Sequence, residues 1–271
     1  MSQQLWRLVI TPPSEGAMNM AVDHAILEAV AAENVPPTLR LYAWQPACLS
    51  LGYAQPFADV DPARLSALGW DVVRRLTGGR AILHTDELTY SVAVPADHPL
   101  VQGDIVSSYR RISGALLAGL QILGVTPQAD KRADGPTHSG PVCFEVPSHY
   151  EITFQGKKLI GSAQVRKFGG VLQHGAIPLE GDITRIVDAL TFADETQREH
   201  ERAHLRQRAL TLEQALGRPV GWEEAAAIVT RGFQRTFDLF FETKNLSQDE
   251  HARAEALYAS QYAAESWTCR R

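Results

Sequence analysis

The sequence predicts an α+β fold, in which a mixed, mostly antiparallel β-sheet core is flanked by helices and followed by a small helical C-terminal segment. Short strand-like segments alternate with helical ones in the first part of the chain, which is typical of this class. From Asp182 onward the apolar pattern is helical. The chain has 271 residues, 45% of them hydrophobic, enough for a substantial core. We therefore expect residues 1–181 and a helical segment, 182–271, to pack together as one domain.

The N-terminal elements follow from apolar periodicity and from the residues that break it. Ser14 is placed to cap a helix over about 16–32, and Pro36-Pro37 ends that helix. Leu116 and Leu120 lie on one face of a second long helix. The predicted elements are strands at 5–10, 38–44, 48–53, 71–75, 81–84 and 88–94, with helices at 16–32, 58–68 and 106–123.

The second half of the chain predicts more strands and then helices. A polar segment rich in glycine and proline, 131–141, predicts a loop. Gly169-Gly170 is typical of a hairpin turn between two strands. The predicted elements are strands at 148–154, 158–161, 164–168 and 171–178, and helices at 183–190, 211–216, 222–241 and 249–262, the last capped by Leu246-Ser247-Gln248.

Charge and cysteine content narrow the class of protein. The 26 Lys+Arg against 31 Asp+Glu give a net charge of -5, which offers no global attraction to nucleic acid. Three cysteines without a CxxC pair argue against a disulfide framework or a zinc site. Without a signal-like opening or a long apolar stretch, we expect a soluble cytoplasmic protein that binds no membrane. A local basic cluster suits an anionic ligand or an acidic partner: Arg74, Arg75, Arg80, Lys157, Lys158, Arg166 and Lys167.

A glycine turn, Thr77-Gly78-Gly79-Arg80, directly follows a strand that ends in Arg74-Arg75. It lacks the Lys-Ser/Thr of a P-loop and the GxGxxG spacing, so the glycines alone do not indicate a nucleotide site. A tight hairpin turn would explain them as well. The two arginines favour contact with an anion, because a guanidinium matches the geometry of a phosphate.

Cys143 is the candidate nucleophile, and it precedes Lys158 by fifteen residues. A lone cysteine is usually a small buried hydrophobe, but a nearby ammonium lowers the pKa of a thiol and raises the fraction of reactive thiolate. Lys157 and Lys158 alternate on a predicted strand, so one should face solvent and the other the site. Cys48 lies in an apolar run and is expected to be structural, and Cys269 is expected to be a tolerated exposed thiol.

Small residues at Gly161-Ser162-Ala163 predict a turn and would let a ligand lie close to the backbone. His84, His149 and His174 are candidate bases, although each alone is more often a structural or surface residue. The sequence has no HExxH motif and no histidine pair at metal spacing, so no metal site is predicted.

Together these segments resemble the biotin/lipoate protein ligase superfamily. Within it, Cys143-Phe144-Glu145-Val146-Pro147-Ser148 and 173–177 are most similar to the LipM-type octanoyltransferases. The resemblance covers nearly the whole chain and implies the catalytic-domain fold of the superfamily for residues 1–181 with 182–271 packed on them. The other matching segments are 16–21, 39–44, 74–84, 87–91, 158–164 and 257–267.

The resemblance implies transfer of an octanoyl group from octanoyl-acyl carrier protein to a lysine of a lipoyl-accepting protein, such as glycine cleavage protein H or an E2 lipoyl domain. Cys143 would form the acyl-enzyme, Lys158 would contact the acyl carbonyl, and no cofactor would be required. An apolar tunnel for the octanoyl chain would have walls at Leu83, Leu88, Tyr90 and Val92. The implied substrate-binding residues are Arg75, Thr77, Gly78, Gly79, Arg80, His84, Gly161, Ser162, Ala163, His174 and Gly175.

Three alternatives stay open. An ATP-dependent lipoate–protein ligase on the same fold would use ATP and magnesium and would need no cysteine. Ligases usually carry a longer C-terminal accessory domain and a further glycine where this chain has Arg80, and both points favour the transferase. An amidotransferase that moves octanoyl between lipoyl domains also uses a cysteine. A non-catalytic protein that binds lipoyl domains would leave Cys143 inert.

Overall fold

The computed structural model describes residues 4–130 and 151–270. Its strands, in chain order, are β1 (Gln4–Ile10), β2 (Thr38–Tyr42), β3 (Cys48–Leu51), β4 (Asp71–Arg74), β5 (Ile82–His84), β6 (Glu87–Pro95), β7 (Gln128–Asp130), β8 (Glu151–Phe154), β9 (Lys157–Lys167), β10 (Gly170–Pro178) and β11 (Leu239–Thr243).

Two sheets contain these strands. The large sheet has the order β11-β1-β2-β6-β10-β9-β8-β7, and the small one has the order β4-β3-β5. In the large sheet β1 pairs in parallel with β2 and β11, and the remaining neighbours pair antiparallel. The predicted α+β class with a mixed, mostly antiparallel sheet is therefore confirmed.

Helices cover both faces of the large sheet. The α-helices are α1 (Gly16–Ala31), α2 (Pro62–Leu68), α3 (Ile105–Ile122), α4 (Glu195–Arg208), α5 (Leu212–Leu216), α6 (Trp222–Phe237), α7 (Gln248–Leu257) and α8 (Glu265–Thr268); Phe57–Asp59, Pro99–Val101 and Ile183–Ala189 form 3₁₀ turns, and Tyr258–Tyr262 is a π turn that continues α7. Among the described residues, no helix is both long and apolar enough to cross a bilayer.

The apolar core has three parts. Residues of α3 and α6 pack with one face of the large sheet, around Tyr90 and Phe233. Residues of α1 and α7 pack with the opposite face, around Tyr42 and Trp44. The third part joins the small sheet to α2 and to 183–189. The two faces of β6 therefore face different environments, because side chains alternate along a strand.

The strands predicted at 158–161 and 164–168 are one continuous strand, β9, and this prediction was wrong in detail. Gly161-Ser162-Ala163 is the middle of β9 and not a turn, because it pairs along its length with β10. Gly175 on β10 faces this segment so closely that a Cβ there would lie 2.5 Å from the Gly161 carbonyl oxygen. The small residues thus permit close strand packing.

The helix predicted at 222–241 ends at Phe237, since Asp238 adopts a left-handed conformation with φ 51°. The chain then enters β11, which pairs with β1 at the edge of the large sheet. The helix α4 was not predicted, because it is polar on nearly every face and only Arg198 and Leu205 of its residues are buried. Asp194 caps its N-terminus through the backbone N–H of Gln197.

The C-terminal segment is tied to the N-terminal strands by a buried ion pair. Arg7 on β1 donates to both carboxylate oxygens of Glu250 on α7, at 2.6 and 2.7 Å. Glu250 also completes a capping box with Ser247 at the start of α7, as the sequence predicted. We propose that residues 1–181 and 182–271 form one catalytic domain, and these contacts support that proposal.

Candidate active site

A small cavity of about 20 Å³ lies between the small sheet, α1 and the strands β6, β9 and β10. This is room for little more than one water molecule. The walls are mostly apolar and include seven of the residues that the sequence proposed for substrate binding. The lining residues are Met20, Tyr42, Trp44, Ser50, Arg75, Ile82, His84, Thr89, Gly161, Ser162, Ala163, His174, Gly175 and Ala176.

The glycine turn is held against the cavity by very close backbone packing. Gly79 has a φ of 90°, a conformation that favours glycine. Its carbonyl oxygen would lie 1.9 Å from a Cβ placed on Gly52, so Gly52 must also lack a side chain. The backbone N–H of Tyr53 donates to the Thr77 carbonyl at 2.8 Å. The turn is thus joined to the segment that follows β3.

The two arginines before this turn bind backbone carbonyls. The buried Arg75 guanidinium donates to the carbonyls of Gly78 and Arg80, at 2.8 and 2.7 Å, and to that of Ser50 at 2.8 Å. Arg74 donates to the carbonyls of Gly52 and Thr268. Their guanidinium donors therefore hold the turn in place, whereas the sequence had favoured contact with an anion.

A buried carboxylate, histidine and hydroxyl stand in a row on one side of Arg75. The Nδ1 of His174 lies 3.4 Å from Asp23 Oδ2, and its Nε2 lies 2.7 Å from the Thr77 hydroxyl. Asp23 also accepts hydrogen bonds from Arg40 at 2.8 Å and Tyr42 at 2.9 Å. The helix α1, the strand β10 and the glycine turn each contribute one residue to this group, which the sequence did not predict as a unit.

Burial has opposite effects on the two titrating groups of this row. Burial lowers the pKa of His174, because a buried cation is disfavoured, and nearby Arg75 lowers it further. Burial alone would raise the pKa of Asp23, but the positive charge of Arg40 and the hydrogen bond with His174 outweigh it, so the pKa is below its usual value. The row therefore holds a neutral imidazole beside an ionised carboxylate at neutral pH.

A second row of the same kind lies on the other side of Arg75. His84 places Nδ1 at 2.7 Å from Glu87 Oε1 and Nε2 at 2.7 Å from the Ser50 hydroxyl. The same Glu87 oxygen accepts a hydrogen bond from Thr89. The Trp44 ring stacks on the His84 ring, with centroids 3.9 Å apart and an interplanar angle of 9°. His84 is thus fixed at both nitrogens and on one ring face.

Lys158 is brought to the cavity side of the sheet by a β-bulge. Ile152 pairs with Ile160, but the next residue, Thr153, pairs with Lys158, so Leu159 is an extra residue on β9. Ile152 packs in the core on the α3 side, and Thr153 and its partner therefore point to the other face. The buried side chain of Lys158 consequently shares the face of Gly161 and Ala163.

The lysine does not line the cavity itself. Lys158 lies three residues from Gly161, which corresponds to about 10 Å along an extended strand. Its neighbour Lys157 is half-buried and donates to the Arg206 carbonyl at 2.8 Å. Of the two lysines, Lys158 is the one on the cavity side of the sheet, and its role at the site stays a prediction.

Cys143, His149 and the loop predicted at 131–141 lie outside the described residues. Cys48 is buried, and burial raises the pKa of its thiol well above the usual value, which agrees with a structural role. Cys269 is half-buried. Among the described side chains, no group of three His, Cys, Asp or Glu could hold a metal ion, and the prediction that no metal is required stays a prediction.

The predicted walls of an acyl tunnel do not line this cavity. Leu88, Tyr90 and Val92 face the core on the α3 side, and Leu83 packs in the third part of the core. The prediction chose the wrong face of β6, since Thr89, between two of these residues, does line the cavity. The apolar walls that the sequence analysis missed include Met20, Tyr42 and Trp44.

Arg166 and Lys167 lie on opposite faces of β9. Arg166 faces α3 and donates to the Ser108 hydroxyl and the Val101 carbonyl. Lys167 lies on the cavity side, with its ammonium 4.3 Å from the centre of the Tyr53 ring. The Arg270 guanidinium lies 4.0 Å from the same ring. Lys167 and Arg270 thus form a basic patch beside the Gly52-Tyr53 segment.

Comparison with known proteins identifies the class to which this fold and site belong. Residues 15–234 match the lipoyl protein ligase A/B catalytic domain. The chain belongs to this family. Similarity to enzymes that transfer octanoyl groups is still more extensive: the chain is 42% identical to an octanoyltransferase LipM of Moorella thermoacetica, over 100% of both chains. It is 40% identical to one of Kyrpidia tusciae, over 99% of this chain and 100% of the relative.

Within this family, these relatives place the chain among the LipM-type octanoyltransferases. The enzyme is therefore an acyltransferase that acts in lipoate biosynthesis. The fold has a solved counterpart in a bipartite lipoate protein ligase from Thermoplasma acidophilum, with a TM-score of 0.82 and 24% identity over 98% of this chain and 96% of that one. That similarity concerns the fold alone.

Proposed function

We propose that this enzyme moves an octanoyl group from octanoyl-acyl carrier protein, through a thioester on Cys143, to a lysine of a lipoyl-accepting domain such as that of glycine cleavage protein H or an E2 subunit. One observation carries the proposal: a buried lysine, Lys158, shares a sheet face with a small apolar cavity. The relatives named octanoyltransferase over the full chain support it. The proposed substrate-binding residues remain those named from the sequence.

The chemistry proceeds in two acyl transfers. The Cys143 thiolate attacks the thioester carbonyl of the donor, the bond to the pantetheine sulfur breaks, and the leaving thiolate takes a proton from solvent. The unprotonated amine of the acceptor lysine then attacks the enzyme thioester, the bond to the Cys143 sulfur breaks, and the nitrogen gives one proton to solvent, which yields the amide and the Cys143 thiolate. Each intermediate places negative charge on the carbonyl oxygen, and the ammonium of Lys158 would stabilise that charge. Ping-pong kinetics follow from this order.

The walls of the cavity suit an acyl chain because they are mostly apolar. Met20 and Trp44 supply apolar surface, and the stacking of Trp44 on His84 fixes one wall. The cavity must widen to admit an octanoyl chain, and its apolar walls would then shield that chain from water. The enzyme would need neither ATP nor magnesium, whereas a ligase would need both.

The decisive experiment is intact-mass spectrometry of the protein mixed with octanoyl-acyl carrier protein in the absence of ATP, beside a sample given octanoate, ATP and magnesium. A single octanoyl adduct in the first sample is expected, mapped to Cys143 and discharged by a lipoyl-accepting domain. Cys143→Ser should prevent the adduct, and Cys269→Ser, the matched control, should retain it. Acceptor modification only in the sample with ATP would show a ligase instead.

An octanoylated lipoyl domain should also be tested as the donor. Faster acylation of Cys143 by that donor than by octanoyl-acyl carrier protein would show an amidotransferase. Binding of lipoyl domains with no acyl transfer from any of the three donors would show a non-catalytic binding protein. The proposal holds only if the carrier-protein thioester is the best donor.

A further inference from the structure

The two rows of buried side chains meet at a single residue, Arg75. Its Nε lies 3.1 Å from the Thr77 hydroxyl, which belongs to the row with His174. Its Nη1 lies 3.2 Å from the Ser50 hydroxyl, which belongs to the row with His84. We call these rows, Asp23–His174–Thr77 and Glu87–His84–Ser50, the two relays. All of their members are buried.

Hydrogen-bond directions in the relays follow from the donors available. A guanidinium can only donate, so the hydroxyls of Ser50 and Thr77 accept from Arg75. A hydroxyl oxygen can accept two hydrogen bonds, so this contact alone leaves the histidines either tautomer. The carboxylates of Glu87 and Asp23 accept, so the Nδ1 atoms of His84 and His174 carry a hydrogen and donate it. In a neutral imidazole with this tautomer, Nε2 is unprotonated and accepts from the relay hydroxyl.

We propose that the two relays make Arg75 a positioning residue, whose role is to fix the glycine turn of the acyl site. Neither His84 nor His174 is then the general base of the transfer, because the Nε2 atom of each is bonded to a buried relay hydroxyl. This inference rests on the proposed function for the identity of the site. The remaining Arg75 donors reach the carbonyls of Gly78 and Arg80. Arg75 thus bonds the relays on one side and the turn on the other.

Protonation of His174 would disturb this arrangement. An added Nε2–H would meet the Thr77 hydroxyl, whose own hydrogen points at the same nitrogen, and a second positive charge would stand beside the guanidinium. The titratable and charged groups near His174 are Asp23 and Arg40 on the carboxylate side and Arg75 and His84 on the other. Burial and Arg75 lower the pKa of His174, so its imidazole stays neutral and the relay intact at neutral pH.

The direct test is nuclear magnetic resonance of the full-length protein with ¹⁵N-labelled histidine and arginine, which reports which ring nitrogen carries the hydrogen. We expect unprotonated Nε2 and protonated Nδ1 at His174 at pH 7.5. We also expect a protected Nε–H at Arg75 that is lost on acidification together with the neutral state of His174. An Nε2–H form or an imidazolium at pH 7.5 would overturn the proposal. This readout does not depend on transfer activity.

Kinetics supply a second, separate test. Thr77→Val removes the hydroxyl and should lower kcat/KM by about 10- to 100-fold, since small misplacements near a reacting centre have effects of this size. Thr77→Ser keeps the hydroxyl and should lose much less. If Thr77→Val fails to fold, His174→Gln replaces it, because the Gln oxygen can accept the Thr77 hydroxyl but cannot be protonated.

The outcomes of the two tests are distinguishable. Equal losses in Thr77→Val and Thr77→Ser would overturn the positioning role. A loss in His174→Gln as large as that expected for removal of a catalytic base, more than about 100-fold, would mean that His174 acts in the chemistry. If the wild type transfers no octanoyl group at all, the proposed function fails, while the resonance test of the relays still stands.

Discussion

Replacement of Gly52 by alanine tests whether the contact between the glycine turn and the segment after β3 is essential. The new Cβ would lie 1.9 Å from the Gly79 carbonyl oxygen and 2.8 Å from its carbon. Carbon and carbonyl oxygen come no closer than about 3.3 Å in ordinary contacts, so the two segments must separate by roughly 1.4 Å. Both neighbours are backbone, and no side-chain rotation can relieve the clash.

Such a displacement lengthens the hydrogen bonds that Arg75 makes with the carbonyls on either side of Gly79, now 2.8 and 2.7 Å. Loss of one or both would cost about 1.5–6 kcal/mol of stability, because hydrogen bonds to charged groups contribute about 1.5–3 kcal/mol each. A shift of about 1 Å at the acyl site should also lower kcat/KM about 100-fold.

Thermal unfolding and steady-state octanoyl transfer are the measurements for Gly52→Ala. The matched control is Gly114→Ala in the middle of α3, where a Cβ would meet none of the described atoms within 4 Å. That variant should be slightly more stable, by about 0.5–1 kcal/mol, since alanine favours helix. Wild-type melting temperature and kcat/KM for Gly52→Ala would refute the account of the turn given above.

Three further predictions concern residues on different faces of the molecule. Lys158→Met should keep the fold and lower kcat at least about 100-fold through loss of the charge near the acyl carbonyl; unchanged kcat in a single-turnover assay would remove Lys158 from the chemistry. Lys167→Glu should raise KM for an acidic carrier-protein donor about tenfold more than KM for a small octanoyl thioester. Arg166→Glu should not do so, because Arg166 lies on the opposite face of β9, and an equal effect from that variant would contradict this prediction. Burial opposes the charge of Glu250, but the hydrogen bond and charge of Arg7 outweigh burial and lower the pKa of Glu250. The ion pair therefore stabilises the fold fully above the pKa of glutamate in the unfolded chain, about 4.3. This stability is lost as the pH falls through the pKa of Glu250 in the folded protein. Glu250→Gln should therefore cost about 3–5 kcal/mol at pH 7 and progressively less below about pH 4 by urea denaturation.

The strands near the site were predictable wherever their apolar residues alternate, as on β6. Gly161-Ser162-Ala163 was read as a turn because small residues permit turns, yet they equally permit close pairing of β9 with β10. The sequence carries no local mark that separates the two cases. Likewise, the β-bulge that re-aims Lys158 depends on the register with β8, which is a property of two strands and cannot be deduced from one.

The relays show a different limit of sequence reasoning. His84 and His174 were candidate bases, and the structure instead gives each a carboxylate partner from another element. The sequence places Arg40 in the middle of an apolar strand and Asp23 in an apolar stretch of α1, and both are buried. Such charges are expected to pair with an opposite charge, because an unpaired buried charge is costly. Their pairing at 2.8 Å joins residues from separate elements, and only the fold specifies which charges meet.

The pairing of β1 with β11 has a consequence for the order in which the molecule forms. Gln4 lies opposite Leu239 in this parallel pair, so the contact closes a loop of more than two hundred residues, and contacts of such long range form slowly. Until β11 is synthesised, one edge of β1 has no strand to pair with. Leu5 and Ile10 on this strand are half-exposed even in the folded protein. Nascent chains stalled before residue 239 should therefore be more prone to association through β1 than the complete enzyme.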